Sequence, residues 1–260
     1  LAAALFGAGT PVAKLLLGEI EPVALAAFLY LGSGIGLLLF KSLQQMAGKF
    51  KSAEAQISRS DIPWLAGAAL TGGVAAPIVL MFGLRSTPAA TASLLLNFEG
   101  VATTLAAAFI FKEAIGRRVW WAVTCITCAS ILLSLDISGK WGISIGAAGV
   151  LGACMLWGID NNFTRNVSAK DPLTLVIIKG ISAGSFSLIL SFVLNHKFPQ
   201  LITVSGALLL GSISYGLSIV LFIFAMRSLG TARASALYGT APFVGAILSF
   251  LLLRELPNVL

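Results

Sequence analysis

Long apolar runs follow one another along this chain with only short breaks, and they decide what it can fold into. The runs are 1–17, 23–40, 64–84, 89–111, 119–135, 141–163, 173–194, 201–226 and 234–253. A helix crosses a bilayer with about 20 mostly apolar residues, within a range of about 17–25. Transmembrane β-strands would give alternating segments of about 10 residues, and these runs are too continuous for that. The longest connector, 41–63, leaves no room for a separate soluble domain. Soluble domains carry roughly 25% charged residues, whereas this chain has 10%, with 58% apolar residues and a mean hydropathy of +0.97. It reads as an all-α, multi-pass membrane protein.

Charge placement orients the spans. A net charge of +7 would suit nucleic acid, but Lys and Arg fall almost entirely in the gaps between apolar runs, so the partner they indicate is the bilayer. With a cytoplasmic N-terminus, the inside connectors hold eleven basic residues: Lys41, Lys49, Lys51, Arg59, Lys112, Arg117, Arg118, Arg165, Lys170, Arg227 and Arg233. The outside ends hold five: Lys14, Arg85, Lys140, Lys197 and Arg254. Basic residues accumulate on the cytoplasmic side, so a cytoplasmic start is expected. The stretch from Lys41 to Arg59 reads as a connector attracted to anionic headgroups.

The chain also matches itself. A shift of 142 residues lays Met81–Glu113 on Ile223–Glu255 without a gap, pairing Arg85-Ser86 with Arg227-Ser228 and Lys112-Glu113 with Arg254-Glu255. A shift of 151 lays Leu5-Phe6-Gly7 on Leu156-Trp157-Gly158 and Lys14 on Arg165. The expected organisation is a first repeat over 1–135 with helices 1–5 and a second over 141–260 with helices 6–9. Five is odd, so the two halves should lie upside down relative to each other. Inverted repeats of this kind enclose a midplane substrate site in secondary transporters. The offsets predict a ten-helix protein, of which about nine helices fall in 1–260; the start of helix 1 and all of helix 10 lie beyond.

The helix-1 pattern Leu5-Phe6-Gly7 running to Lys14, with the strings ATASLLLNFEGVATTLAAAFIFKE and ARASALYGTAPFVGAILSFLLLRE, resembles the drug/metabolite transporter superfamily and in particular its EamA-like branch. The resemblance covers essentially the whole chain. It implies an inner-membrane permease for amino acids, metabolites or drugs, many members being exporters. It further implies a central cavity lined mainly by helices 1, 3, 4, 6, 8 and 9, with helices 5 and 10 peripheral. One departure stands out: the family commonly has Pro in helix 4 near Gly100, as the second repeat does with Pro242, whereas the first repeat reads Asn97-Phe98-Glu99-Gly100.

Ionisable groups inside spans are costly and are functional candidates by default. Glu99 lies almost at the midplane of its run, and a buried carboxylic acid can exchange a proton near neutral pH. It is read as a proton-coupling or cation-binding residue, beside the plainer reading of a neutral Glu that pins two helices. Asp160 lies about 7–8 Å from the membrane edge at Arg165 and Lys179 roughly 9 Å deep from the same side, at 1.5 Å per residue. Similar depth permits an Asp160–Lys179 ion pair, since buried charges pair. It would be either a static brace between helices 6 and 7 or a gate for a charged substrate group. Thr10, Asn97, Trp157, Asn161, Tyr215 and Tyr238, the last being the repeat partner of Leu96, complete a polar and aromatic set suited to an amphipathic solute; Tyr and Trp also anchor lipid interfaces. Lys14 and Arg165 read as snorkelling end charges.

No cofactor, metal or nucleic-acid partner is called for. Cys125-Ile126-Thr127-Cys128 has zinc-like spacing but sits mid-helix without a second pair. An intramembrane enzyme fits poorly: the single His196 lies outside the apolar runs, no His-Glu-x-x-His pattern occurs, and Asp136 falls in a connector. The expected function is a multi-pass carrier moving a small metabolite, amino acid or drug-like solute by alternating access, coupled to protons through Glu99. An uncoupled facilitator or channel is the alternative. Glycine runs at Gly32-Ser33-Gly34-Ile35-Gly36 and at Gly142, Gly146, Gly149 and Gly152 read as close helix-contact faces.

Overall fold

Proline and capping side chains set where several rods begin. Pro22 and Pro172 occupy first helical turns, where a missing N–H costs nothing. The Asp171 carboxylate accepts from the Leu173 N–H, and the Ser144 hydroxyl accepts from the Ala147 N–H. The computed structural model describes residues 1–47, 57–110, 112, 114–136, 142–167, 170–229 and 237–255. The charged positions Lys49, Lys51, Glu113, Lys140 and Arg233 lie outside them. Among the described residues the helical rods are α1 (Ala2–Leu16), α2 (Pro22–Met46), α3 (Arg59–Arg85), α4 (Ala89–Phe109), α5 (Arg117–Ser134), α6 (Ile145–Arg165) and α7 (Pro172–Val193). They continue with α8, built in series from Leu201–Leu210, Gly211–Leu217 and Ser218–Leu229, and with α9 (Ala241–Leu253). A two-residue antiparallel ribbon, Leu135↔Ile143 and Asp136↔Gly142, joins α5 to α6.

Each apolar run read from the sequence falls on one of these rods. Five, α2, α3, α4, α7 and α8, are long and apolar enough to cross a membrane, while α1 and α9 are shorter apolar helices. The bundle wears its large apolar side chains outside: Phe109 is 73% and Ile189 63% exposed, and Phe82, Phe192 and Phe250 also face outward. Such a surface is an aggregation hazard in water and an ordinary one in lipid.

Backbone irregularities recur at the 142-residue spacing seen in the sequence. A π-helical segment occupies Ala69–Ala75 in α3 and Gly211–Leu217 in α8. A non-glycine residue takes a left-handed conformation at Lys112 (φ 54°) and at Arg254 (φ 55°). The turn at 96–97 that interrupts α4 has a counterpart at 239–240, just before α9, one residue off the same register.

α2 is the most enclosed rod, with Val23 to Tyr30 all buried. Small residues let its neighbours approach, as expected where packing rather than hydrophobicity drives association. A Cβ added at Gly180 of α7 would lie 2.6 Å from the Gly34 amide nitrogen, and one added at Gly34 would lie 2.7 Å from the Ile181 nitrogen. Gly146 and Gly149 of α6 meet Gly83 of α3 in the same way. Gly180→Leu should therefore drive α2 and α7 apart and destabilise the fold by about 1–3 kcal/mol, the usual cost of overpacking. A lowered melting temperature in detergent, followed by fluorescence-detected size exclusion, checks this.

The start of α7 is tied to the end of α2. Lys41 Nζ donates to Asp171 Oδ2 at 3.1 Å and to Thr174 Oγ1 at 2.5 Å, and the Thr174 hydroxyl bonds Asp171 as well. Partial burial alone would raise the Asp171 carboxyl, but the bonds from Thr174 and Lys41 and the Lys41 charge outweigh it and hold the group below its ordinary range. A depressed carboxylate stabilises the fold above its unfolded pKa of ~3.9 and loses that contribution as pH falls through the folded value. Below about pH 4 the melting temperature of the wild type should drop more steeply than that of Asp171→Asn, measured in parallel scans.

Candidate functional site

The site forms where helices are least regular. In α4 the pieces Ala89–Leu95 and Phe98–Phe109 are separated by a turn at Leu96 and Asn97, held by tightened bonds such as Asn97 N to Leu94 O at 3.2 Å and Glu99 N to Leu96 O at 3.1 Å. The freed Leu95 carbonyl accepts from Cys154 Sγ of α6 at 3.7 Å. Glu99 sits in the first turn of the second piece, where the helix dipole favours a negative group. Asn161 Nδ2 of α6 donates to Glu99 Oε1 at 2.9 Å and to Thr103 Oγ1 at 3.0 Å. Among the described residues no other side chain bonds the Glu99 carboxylate. Asn97 Nδ2 turns back to the Leu94 carbonyl at 3.2 Å.

One residue before Asn161, Asp160 forms a different arrangement. It is 4% exposed, and Lys179 of α7 pairs with its Oδ2 while Thr164 Oγ1 donates to Oδ1 at 3.1 Å. The equal depths read from the sequence thus correspond to a formed pair. The π-helical segment of α3 packs against it. Its widened turn leaves the Gly72 carbonyl free for side chains, and Tyr30 Oη of α2 donates to it at 2.5 Å and Trp157 Nε1 of α6 at 3.0 Å. A Cβ at Gly72 would lie 1.9 Å from Asp160 Oδ2 and 2.5 Å from Asp160 Cβ. Gly72→Ala should therefore displace the Asp160 carboxylate from Lys179 and lower stability by about 1–3 kcal/mol, visible as a fall in melting temperature.

Facing this polar side is a run of rings. Tyr30 and Tyr215 have centroids 5.9 Å apart, Tyr215 and Phe6 6.1 Å, Phe6 and Tyr238 5.4 Å, and Tyr238 and Phe222 4.3 Å. These are ordinary aromatic-pair separations. Between the two walls lies a cavity of about 830 Å³. Asn97, Glu99, Trp157, Asp160, Asn161, Lys179 and Tyr238 all line it, and Thr10 does not: it is buried against the bundle at 6% exposure. The lining residues of α3 (Leu65, Ala68), α6 (Trp157 to Thr164) and α7 (Leu175 to Gly180) fall toward the ends where α3 and α7 begin and α6 finishes. The cavity is thus displaced toward that end of the bundle.

The opposite end is knit shut. Thr203 Oγ1 donates to Glu19 Oε2 at 2.6 Å, Arg85 pairs with Glu21 at 3.1 Å, and the Ala89 N–H donates to Glu255 Oε2 at 2.5 Å. Lys14, expected to snorkel outward, turns inward instead. Its ammonium caps the end of α3 through the carbonyls of Leu84 (2.6 Å), Arg85 (3.2 Å) and Thr87 (2.8 Å). Free carbonyls at a helix C-terminus attract a cation, and that outweighed solvation. The expected lining also needs widening. α2 contributes Tyr30 and Ser33, α7 contributes Lys179 and its neighbours, and α5, expected to be peripheral, contributes Ile126. Tyr30 and Gly72 were not legible in the sequence as site residues; the one signal that could have found Gly72 is the Gly72-Gly73 pair in the middle of an apolar span.

A polytopic helical bundle around a cavity with one charged wall and one aromatic wall is the build of a membrane transporter of small molecules. Comparison with known families gives the same class and a narrower one: the chain belongs to the EamA-like transporter family, whose model matches residues 1–135 and 144–260. The resemblance to the drug/metabolite transporter superfamily is therefore upheld. An uncharacterized transporter of Methanothermobacter thermautotrophicus is 28% identical over 267 residues, covering 96% of this chain and 76% of that protein. A probable terminal-alkyne amino-acid exporter of Streptantibioticus cattleyicolor is 28% identical over 203 residues, covering 76% of this chain and 67% of that protein. A crystal structure 16% identical shares the fold, with a TM-score of 0.50 over 96% of this chain and 98% of that one.

Proposed function

We propose that this protein carries a small amphipathic solute bearing a basic amine, such as an amino acid, an amine metabolite or a drug-like cation, by alternating access. The halves 1–135 and 141–260 lie inverted in a bacterial inner membrane and rock about the cavity. The N-terminus, and with it the end toward which the cavity is displaced, faces the cytoplasm, in keeping with the excess of Lys and Arg in the connectors there. Glu99 binds either a proton or the solute's ammonium, and exchange between the two couples flux to the proton gradient.

The observation that carries this reading is the Glu99 carboxylate, set in a helix break on the cavity wall with one hydrogen-bond donor among the described residues, at 2.9 Å, and opposite a row of aromatic rings. A merely structural carboxylate would have its remaining acceptor sites filled by protein donors. The neighbouring Asp160 shows the contrast, because both its oxygens are engaged. The named amino-acid exporter among the relatives agrees with an amine-bearing cargo. The test is uptake of a panel of amino acids, amines and cationic drugs into proteoliposomes, with and without an imposed pH gradient. Saturable uptake of an amine-bearing member, accelerated by the gradient, is the expected result. Uptake of anionic solutes only, or indifference to the gradient, refutes cargo class and coupling respectively.

A further inference from the structure

A second hollow, about 490 Å³, opens on the outer face of the bundle between the first half of α3 and the middle of α7. Its walls are Leu70, Val74 and Leu65 from α3 and Ile178, Ala183 and Phe186 from α7. Among the described residues, Ser182 is the one polar side chain lining it, and its hydroxyl is turned to the Ile178 carbonyl at 2.7 Å. From Ile62 at its mouth to Val74 at its inner end it runs roughly 18 Å along α3 at 1.5 Å per residue. The mouth lies where α3 and α7 begin, beside the Asp61–Lys170 ion pair at 3.0 Å, which puts it at the membrane surface. Leu65 and Ile178 line both this groove and the central cavity. The groove and Glu99's chamber thus have these two side chains in common as wall.

We infer that the groove is a lateral entrance through which single-chain amphiphiles with a cationic head pass from the leaflet into the cavity. The inference deepens the carrier reading above and rests on it. An alkyl chain fits an apolar trough at acyl depth, and each methylene favours the bilayer over water, so such cargo reaches the protein from the membrane side. A cationic head fits what lies inward, a carboxylate with one hydrogen bond and a series of rings that attract ammonium groups through their faces. A bilayer phospholipid fits less well. Its phosphate would have to pass Glu99's carboxylate. The groove ends at the π-helical segment of α3, where Gly73 approaches Ala183 so closely that an added Cβ would lie 2.6 Å from it. α3 and α7 touch there and diverge toward the mouth.

The test uses the full chain in proteoliposomes and a dodecylammonium probe with a diazirine at the chain end, followed by mass-spectrometric mapping of the labelled residues. Labels concentrated in 62–74 and 178–186, competed by excess dodecylammonium, are expected. Ala66→Phe with Ser182→Phe, which fill the groove from its lipid side, should cut that labelling and dodecylammonium uptake about fivefold or more while sparing uptake of water-soluble butylammonium. Labels spread evenly over the outer surface, or a groove labelled by a diazirine phospholipid and indifferent to dodecylammonium, would overturn the entrance. Equal loss of both amines in the filled variant would do so too. Failure of the wild type to take up butylammonium would count against the carrier reading instead, and the wild-type labelling pattern would still decide the groove.

Discussion

Glu99→Gln is expected to abolish acceleration of solute flux by a pH gradient while leaving counterflow exchange measurable. Gln is close to the protonated acid in shape and charge, and its side-chain oxygen can still accept from Asn161 Nδ2, so the contact seen at 2.9 Å survives. What is lost is the ability to become an anion when the cavity opens to the more alkaline side. Gradient-driven uptake should fall about tenfold or more, equivalent to ~1.4 kcal/mol or more in the driven step, and its pH profile should flatten. If Glu99 only holds α4 to α6, Gln serves as well and both modes of flux stay at wild-type values. Parallel measurement of driven uptake and exchange in one proteoliposome preparation separates the two outcomes.

The largest effect on stability is expected at Lys179. Truncation to Ala leaves Asp160, 4% exposed and among the described residues bonded otherwise to Thr164, as a carboxylate that has lost its Lys179 counter-charge. Breaking one side of a buried pair costs about 3–5 kcal/mol, whereas removing both sides costs far less. Lys179→Ala should thus lower the melting temperature sharply, and adding Asp160→Ala should recover most of it. Transport discriminates further between a brace and a gate. The exchanged pair Asp160→Lys with Lys179→Asp restores charge balance; recovery of folding without recovery of flux identifies a pair that acts on the solute, and recovery of both identifies a brace. The readouts are thermal melts in detergent and exchange rates in proteoliposomes.

The course of the helices was legible because lipid imposes a single rule, that a span be long and apolar; five of the rods meet it outright, and the other runs still fall on helices. The interruption of α4 carried its own signal, since Asn97 and Glu99 stand where the matching stretch has Gly239 and Ala241. The pairing of Asp160 with Lys179 followed from depth alone, because α6 and α7 leave and re-enter the same surface through a short connector. Thr10 could not be placed so simply. Depth says how far a residue lies from the membrane edge and nothing of the direction its side chain takes around the helix axis, and Thr10 turns into packing. Tyr30 was hidden for the same reason in reverse: α2 is buried on nearly every side, so no periodicity marks the face that meets the cavity. Gly72 was hidden by backbone geometry. A π-helical turn is fixed by what packs around it, and an apolar run carries no spacing that announces one.

The rings come from α1, α2, α8 and the segment before α9, and the charges come from α4, α6 and α7. On the proposed function, selectivity for the body of a cargo and handling of its charge would thus fall to separate rods. Enlarging or shrinking Phe6, Tyr215 or Phe222 resets which shapes are admitted without disturbing Glu99, Asp160 or Lys179. A gene lineage built on this division can vary its aromatic wall by changes on one side alone, keeping its charged wall intact throughout.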